Sequence, residues 1–252
     1  MNSEVKSFIV GMEKAGRLAA ECLEALGKMV KPGVSTNELD QAGFEFLKSR
    51  GALPAPLNYR GFPKSICTSV NEVICHGVPD DQKLKSGDIV NIDVTSLLAG
   101  YHGDTSRTFL VGEVSSAAQR ITQAAQESMF KGIEAISPGA TTGDIGFAIN
   151  KWASKKGFYV VREIGGHGIG KVFHDEPFVP SYGKKGKGVP LRTWTCITVE
   201  PMINETSAEM VENPIPGSSH FWYATADKCL SAQFEHTVLI TDTGYEIMTL
   251  LP

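Results

Sequence analysis

The stretch 91–106, Asn91-Ile92-Asp93-Val94-Thr95-Ser96-Leu97-Leu98-Ala99-Gly100-Tyr101-His102-Gly103-Asp104-Thr105-Ser106, decides how this chain is read. Apolar and β-branched residues on both sides of 97–100 predict two antiparallel strands joined by a hairpin turn. Asp is disfavoured in strands and costly to bury unpaired, yet Asp93 lies inside one strand and Asp104 inside the other. A four-residue turn sets the two acids directly opposite each other, and a two-residue turn leaves them diagonal. Either way they share one face, because side chains alternate with period two. Adjacent carboxylates repel. A divalent cation between them relieves the repulsion, and oxygen ligands suit a hard or borderline metal. From the hairpin alone, one acid in a structural hydrogen-bond network is the competing reading.

Three further outliers extend the pattern. Gly165-Gly166-His167-Gly168-Ile169-Gly170 surrounds a histidine with glycines, which let backbone and ligand approach closely. The spacing is wrong for a dinucleotide fingerprint, and no long helix follows. His174 comes seven residues later, so a second histidine joins the first in an otherwise histidine-poor chain. Glu200 closes the apolar run Trp194-Thr195-Cys196-Ile197-Thr198-Val199, and Glu235 interrupts the apolar run 232–240. The set is four strand-embedded acids plus His167 in an exposed loop, with no thiolate. Five ligands exceed what one catalytic zinc takes. They suit two metals about 3.5–4 Å apart with bridging carboxylates.

Outward from these motifs the chain alternates helices and strands. Apolar residues at helical spacing predict two helices in the first 50 residues, the first stopped by Lys31-Pro32-Gly33. The second opens on Ser35-Thr36-Asn37-Glu38, which has the form of a capping box. Strands are expected at 65–70, 88–96 and 101–111, helices over 116–157, and strands again near 159–161, 195–200 and 232–240. Gly-, Pro- and Ser-rich segments at 181–190 and 213–220 read as surface loops. Lys-Pro-Gly-Val-Ser-Thr from Lys31 is echoed by Ser-Pro-Gly-Ala-Thr-Thr from Ser137, which suggests two related αβ halves.

Composition excludes several classes. A net charge of −4 argues against a nucleic-acid binder, and Lys184, Lys185 and Lys187 read as a solvated loop. The five cysteines are odd in number and widely spaced, as fits a reducing cytosol. The N-terminus carries charges through its apolar positions and does not read as a signal peptide. No apolar run approaches the roughly 18–20 residues needed to span a bilayer.

The motifs N-I-D-V, H-G-D-T-S-R-T-F, G-G-H-G-I-G, V-E-P-M and Q-F-E-H-T-V occur in this order. With P-K-S-I-C-T-S-V-N-E-V-I-C-H-G-V-P at 63–79, they closely resemble the type I methionine aminopeptidases of the pita-bread fold, over nearly the whole chain. The resemblance implies an α+β fold. It is a single catalytic domain, 1–252, of two pseudo-symmetric αβ halves (about 1–114 and 115–252), with a curved antiparallel sheet and outer helices around a central dinuclear site.

The resemblance also implies an activity. This is hydrolytic removal of the initiator methionine from nascent proteins whose second residue is small, using water activated by two divalent metals (cobalt, manganese, iron or zinc). Asp93 chelates one metal, His167 and Glu200 bind the other, and Asp104 and Glu235 bridge. His76, His174 and Glu200 are the expected catalytic residues. Tyr59, Cys67, His76, Phe173, His174 and Trp222 are expected to contact substrate, and Asn71, Val73 and Ser231 to hold a structural monovalent cation. Pro56 stands where a pocket cysteine often occurs, and 205–230 is longer than usual. A cytoplasmic monomer is implied, with no membrane and with transient ribosome association. The alternatives are an X-Pro peptidase of the same fold, disfavoured by the missing N-terminal domain, and a metal-free binding module.

Overall fold

The computed structural model describes residues 2–251. Helices come in two pairs, each followed by strands. The first block holds α1 (Ser3–Gly27), α2 (Thr36–Ser49), β1 (Leu53–Pro54), a tight 3-10 turn at Tyr59–Gly61, β2 (Cys67–Val70), β3 (Val73–Cys75), β4 (Ile89–Leu98) and β5 (Tyr101–Leu110). The second holds α3 (Ser116–Glu134), α4 (Thr142–Lys155), β6 (Tyr159–Val160), β7 (Gly166–Ile169), β8 (Asp175–Val179) and β9 (Cys196–Val199). It continues with β10 (Met202–Asn204), β11 (Met210–Pro214), β12 (Phe221–Thr225), β13 (Ser231–Ile240) and β14 (Tyr245–Ile247). Among the described residues, eleven strands join one sheet whose main path runs β1-β4-β5-β13-β9-β7-β8, while β11, β12 and β3 form a smaller sheet.

The 91–106 hairpin settles the register. Leu98 pairs with Tyr101, so the turn is the two residues Ala99 and Gly100, at φ 49° and 84°. Positive φ at both positions matches the twist of a right-handed hairpin. Asp93 therefore stands opposite Ser106, and Asp104 opposite Thr95. The acids are diagonal neighbours on one face, the second of the two registers that the sequence allows. On the other face Val90, Ile92 and Val94 are fully buried in a cluster with Leu18, Leu23 and Leu26 of α1 and Leu39 and Leu47 of α2. A second cluster gathers Ile121, Met129, Ile145 and Ile149 of α3 and α4 with Val199, Phe234 and Val238. Each helix pair thus seals one stretch of the sheet's outer face and leaves the acid-bearing face inside.

The sequence echo persists in the backbone. Glu38 accepts a hydrogen bond from Ser35 N (2.6 Å) and Asp144 one from Thr141 N (2.9 Å), each tying down a helix start. Ser35 and Thr141 also each make an isolated antiparallel bridge, to Lys83 and to Pro190.

Four expectations shift. Helix α1 stops at Gly27 rather than at Lys31: the Phe109 ring occupies the space a Cβ would fill there, and the chain continues in turn bonds from Met29 N and Val30 N. His167 lies in β7, not in an exposed loop. Its flanking glycines are needed because a Cβ at Gly166 would strike the Thr198 carbonyl and one at Gly168 the Glu176 carbonyl. Asp175–Val179 is a strand, mostly exposed, so it lacks the apolar alternation that marks strands in sequence. Asn213 and Pro214 belong to β11 instead of a loop, with Pro at the strand end where no ladder donor is missed.

The same close approach seats α1 on β5. A Cβ at Gly103 would overlap the Ala15 backbone, one residue before Asp104. Replacing Gly103 with Ala is expected to cost about 1–3 kcal/mol through overpacking. That lowers the thermal midpoint by roughly 2–10 °C in a chain of this size, and an unchanged midpoint in a melting scan contradicts the contact.

Candidate metal centre

Five consecutive strands of the sheet each bring one polar group to the same interior face. The order β4-β5-β13-β9-β7 carries Asp93, Asp104, Glu235, Glu200 just past the end of β9, and His167. Register puts them in two rows. Asp93 pairs with Ser106, which pairs with Glu235; one step beyond the His236–Val199 pair, Glu200 falls opposite Glu235. Two residues along, Thr95, Asp104, Thr237, Thr198 and His167 form the second row. The threonines brace the acids: Thr95 Oγ1 donates to Asp104 Oδ1 (2.7 Å) and Thr198 Oγ1 to Glu200 Oε1 (2.8 Å). Thr237 Oγ1 accepts from Asp104 N (3.1 Å) and donates to Asp104 O (2.8 Å).

This arrangement calls for a cation. Asp104, Glu200 and Glu235 are buried and Asp93 is half-buried, and no Lys or Arg pairs with them among the described residues. Two carboxylates about 4 Å apart repel by roughly 4 kcal/mol at an effective dielectric near 20. Burial, with the neighbouring Asp104 charge, pushes the Asp93, Glu200 and Glu235 carboxyls well above the usual range. Burial pushes Asp104 up to about 7.

Asp93 Oδ1 and Glu235 Oε1 are buried without a hydrogen-bond partner. Ligand atoms of Asp104, His167 and Glu235 lie within 4.8 Å of one another. His167 donates Nδ1–H to the Gly168 carbonyl (3.0 Å), which leaves the Nε2 lone pair facing Glu200 (3.6 Å) and Asp104 (3.8 Å). Burial lowers its pKa to about 4, so the ring is neutral at pH 7. Orphaned carboxylate oxygens and an aimed imidazole lone pair are what divalent metal binding requires.

The five groups line a cavity of about 300 Å³, together with Tyr59, Cys67, His76, Phe173 and His174. Every sequence-expected substrate contact is therefore gathered here except Trp222. That side chain packs against Phe62, Cys67 and Ile215, supporting the wall from behind, while Tyr223 on the alternate face of β12 lines the cavity. His76 donates from Nδ1 to the Phe221 carbonyl (3.2 Å), and His174 Nδ1 meets the Tyr59 hydroxyl (3.0 Å). Burial lowers His76 to about 4 and, with neighbouring His167, lowers His174 to about 2. The sequence reading missed Arg60, Phe62, His220 and Tyr223 as lining residues. His220 follows Pro216-Gly217-Ser218-Ser219, whose composition signals only a loop.

The trio Asn71, Val73 and Ser231 lies elsewhere. Asn71 O accepts from Ser231 N (2.9 Å). Ser231 Oγ is buried with no partner, beside fully buried Asn204, whose amide oxygen and nitrogen are unpartnered too.

Residues 10–242 match metallopeptidase family M24. The chain belongs to that family. It is 51% identical over 247 residues to a methionine aminopeptidase of Rickettsia prowazekii, covering 98% of this chain and 94% of the relative. It is 47% identical to a methionine aminopeptidase of Escherichia coli K12, covering 95% and 90%. Among solved structures, the R. prowazekii methionine aminopeptidase superposes with a TM-score of 0.94 at 50% identity, covering 97% of this chain and 98% of that one. A Pyrococcus horikoshii prolidase superposes at 0.76 with 23% identity, covering 98% of this chain but 62% of the other, and shares the fold. The pita-bread architecture of M24 and its dependence on divalent metal follow for this chain.

Metal and protons compete for the same carboxylates. Raised carboxyl pKa values favour the metal-free fold below the ordinary carboxylate range, and that contribution is lost as pH rises through about 7. Metal occupies the deprotonated form, so the stabilisation it adds is expected to grow from pH 5.5 to pH 8. Thermal midpoints with and without saturating Mn²⁺ at the two pH values measure this; an increment equal at both contradicts the coupling.

Proposed function

We propose that this chain is a methionine aminopeptidase that removes the N-terminal methionine of newly made proteins when a small residue follows it. The observation that carries this reading is near-full-length identity of about half to the methionine aminopeptidases. X-Pro enzymes match at 18–23% identity with about two thirds of their length covered. The cavity suits the substrate: Tyr59, Phe62, Cys67 and Phe173 offer the polarisable, apolar wall a thioether prefers.

In this reading Asp93, Asp104, His167, Glu200 and Glu235 would hold two divalent ions. The ions supply Lewis acidity and a water of lowered pKa. The remaining work falls to side chains. Glu200 carries the water's proton toward the leaving amine; Thr198 and Gln233 Nε2 (3.2 Å) donate to its oxygens and hold them in place. His76 keeps its proton on Nδ1, so Nε2 accepts from the substrate amide. The Tyr59 hydroxyl lies 3.0 Å from His174 Nδ1; in this reading it donates there and leaves the His174 proton on Nε2, the donor a developing oxyanion needs. Asn71, Val73 and Ser231 are read as a structural monovalent-cation site, supported by the unpartnered Ser231 hydroxyl.

The enzyme is read as a monomer working on nascent chains in the cytoplasm. Among the described residues no helix is long and apolar enough to cross a membrane.

After chelation, Met-Ala-Ser is expected to release Met only when divalent metal is restored, and Met-Leu-Ser to be refused. Faster release from an X-Pro peptide than from Met-Ala-Ser overturns the reading. His174→Ala is expected to lower kcat by about 10²-fold with little change in KM, the loss typical of one oxyanion donor.

A further inference from the structure

Two side chains at the cavity mouth have no part in the chemistry above. Arg60 is exposed, with its guanidinium 5.4 Å from the centre of the Tyr59 ring. The ion pairs among the described residues all belong to other cations. His220 is half-buried, its ring 5.6 Å from both Tyr59 and His76. Its backbone N donates to Ser218 Oγ (2.9 Å), while its ring makes no protein hydrogen bond among the described residues.

The β11–β12 hairpin end locks both residues in place. Arg60 is left-handed, φ 48° and ψ 27°, and its carbonyl accepts from Ser218 Oγ (2.9 Å), Ser219 N (3.0 Å) and Ser219 Oγ (3.3 Å). Gly61 allows the approach, since a Cβ there would lie 2.8 Å from the Gly217 carbonyl. The clamp fixes the root of an uncompensated cation beside a neutral imidazole. Burial first, and then the Arg60 charge, holds His220 below the ordinary histidine value. The same charge is felt by His174.

A peptide with its scissile carbonyl at His174 leaves through this mouth. Resting on the reading under Proposed function, we propose that Arg60 and His220 form a subsite for the substrate's third residue that selects an acidic side chain. Arg60 supplies the charge and a planar donor fork suited to a carboxylate. His220 supplies a further ring donor and walls the subsite off from His76.

The test compares kcat/KM for amidated Met-Ala-Glu-Ser, Met-Ala-Ser-Ser and Met-Ala-Lys-Ser on the metal-loaded full chain. Wild type is expected to favour Glu over Lys by about fivefold, carried by KM, as an exposed charge contact allows, and 0.5 M salt is expected to flatten the preference. Arg60→Glu is expected to invert the Glu/Lys ratio and His220→Ala to shrink it. The ratio is taken within each variant, so a general loss of activity cancels. Equal Glu and Lys rates in wild type, or a ratio unmoved by Arg60→Glu or by His220→Ala, overturns the subsite. Failure to release Met from Met-Ala-Ser-Ser instead overturns the methionine aminopeptidase reading itself.

Discussion

Four carboxylates on neighbouring strands share the inner side of the sheet, and no Lys or Arg among the described residues pairs with them. The rest of the structure follows from that constraint. A sheet places opposed side chains such as those of Glu200 and Glu235 about 4.5–5.5 Å apart and diagonal ones such as those of Asp93 and Asp104 about 7–8 Å apart, close enough that ionised acids in a buried site need protons or divalent ions between them. Burial favours the protonated acids in the metal-free protein, and a divalent metal would compete for the same oxygens. The same groups that form the site therefore tie the stability of the fold to metal and to pH.

Holding the acids at that spacing demands an inflexible support. The outer face of β4 is sealed by Val90, Ile92 and Val94 against α1 and α2, and α3 and α4 do the same for β9 and β13. Backbone contacts at Gly103, Gly166 and Gly168 draw α1, β8 and β9 onto strands that carry ligands. Thr95 and Thr198 each donate to one oxygen of Asp104 and Glu200 and hold those two carboxylates in place. Around this rigid floor the walls come from short pieces, the Tyr59–Gly61 turn, the His174 segment and the start of β12. The hairpin end before β12 grips that turn directly, through Ser218 and Ser219 on the Arg60 carbonyl.

Much of this was legible in the residues. An Asp inside Asn91-Ile92-Asp93-Val94 and a Glu inside Gln233-Phe234-Glu235-His236 announce themselves, because strands do not bury acids without cause. The capping box at Ser35 is local and reads directly from Ser35-Thr36-Asn37-Glu38. Turn length was not, since Leu97-Leu98-Ala99-Gly100 fits two registers and only pairing decides. The Gly-rich surroundings of His167 hid a strand, because tight strand-to-strand packing and an open loop call for the same residue. Trp222 and Tyr223 could not be told apart, as a one-residue choice of frame on β12, the middle strand of the smaller sheet, exchanges the two faces. Arg60 and His220 meet only through the fold, across about 160 residues of chain.

The most direct measurement is anomalous diffraction from crystals of the Mn²⁺-loaded protein. The account predicts two adjacent peaks within about 2.0–2.3 Å of ligand atoms from Asp93, Asp104, His167, Glu200 and Glu235, in the range of such oxygen and nitrogen bonds. No peak at these residues, or a peak bound by a different set of side chains, would contradict it.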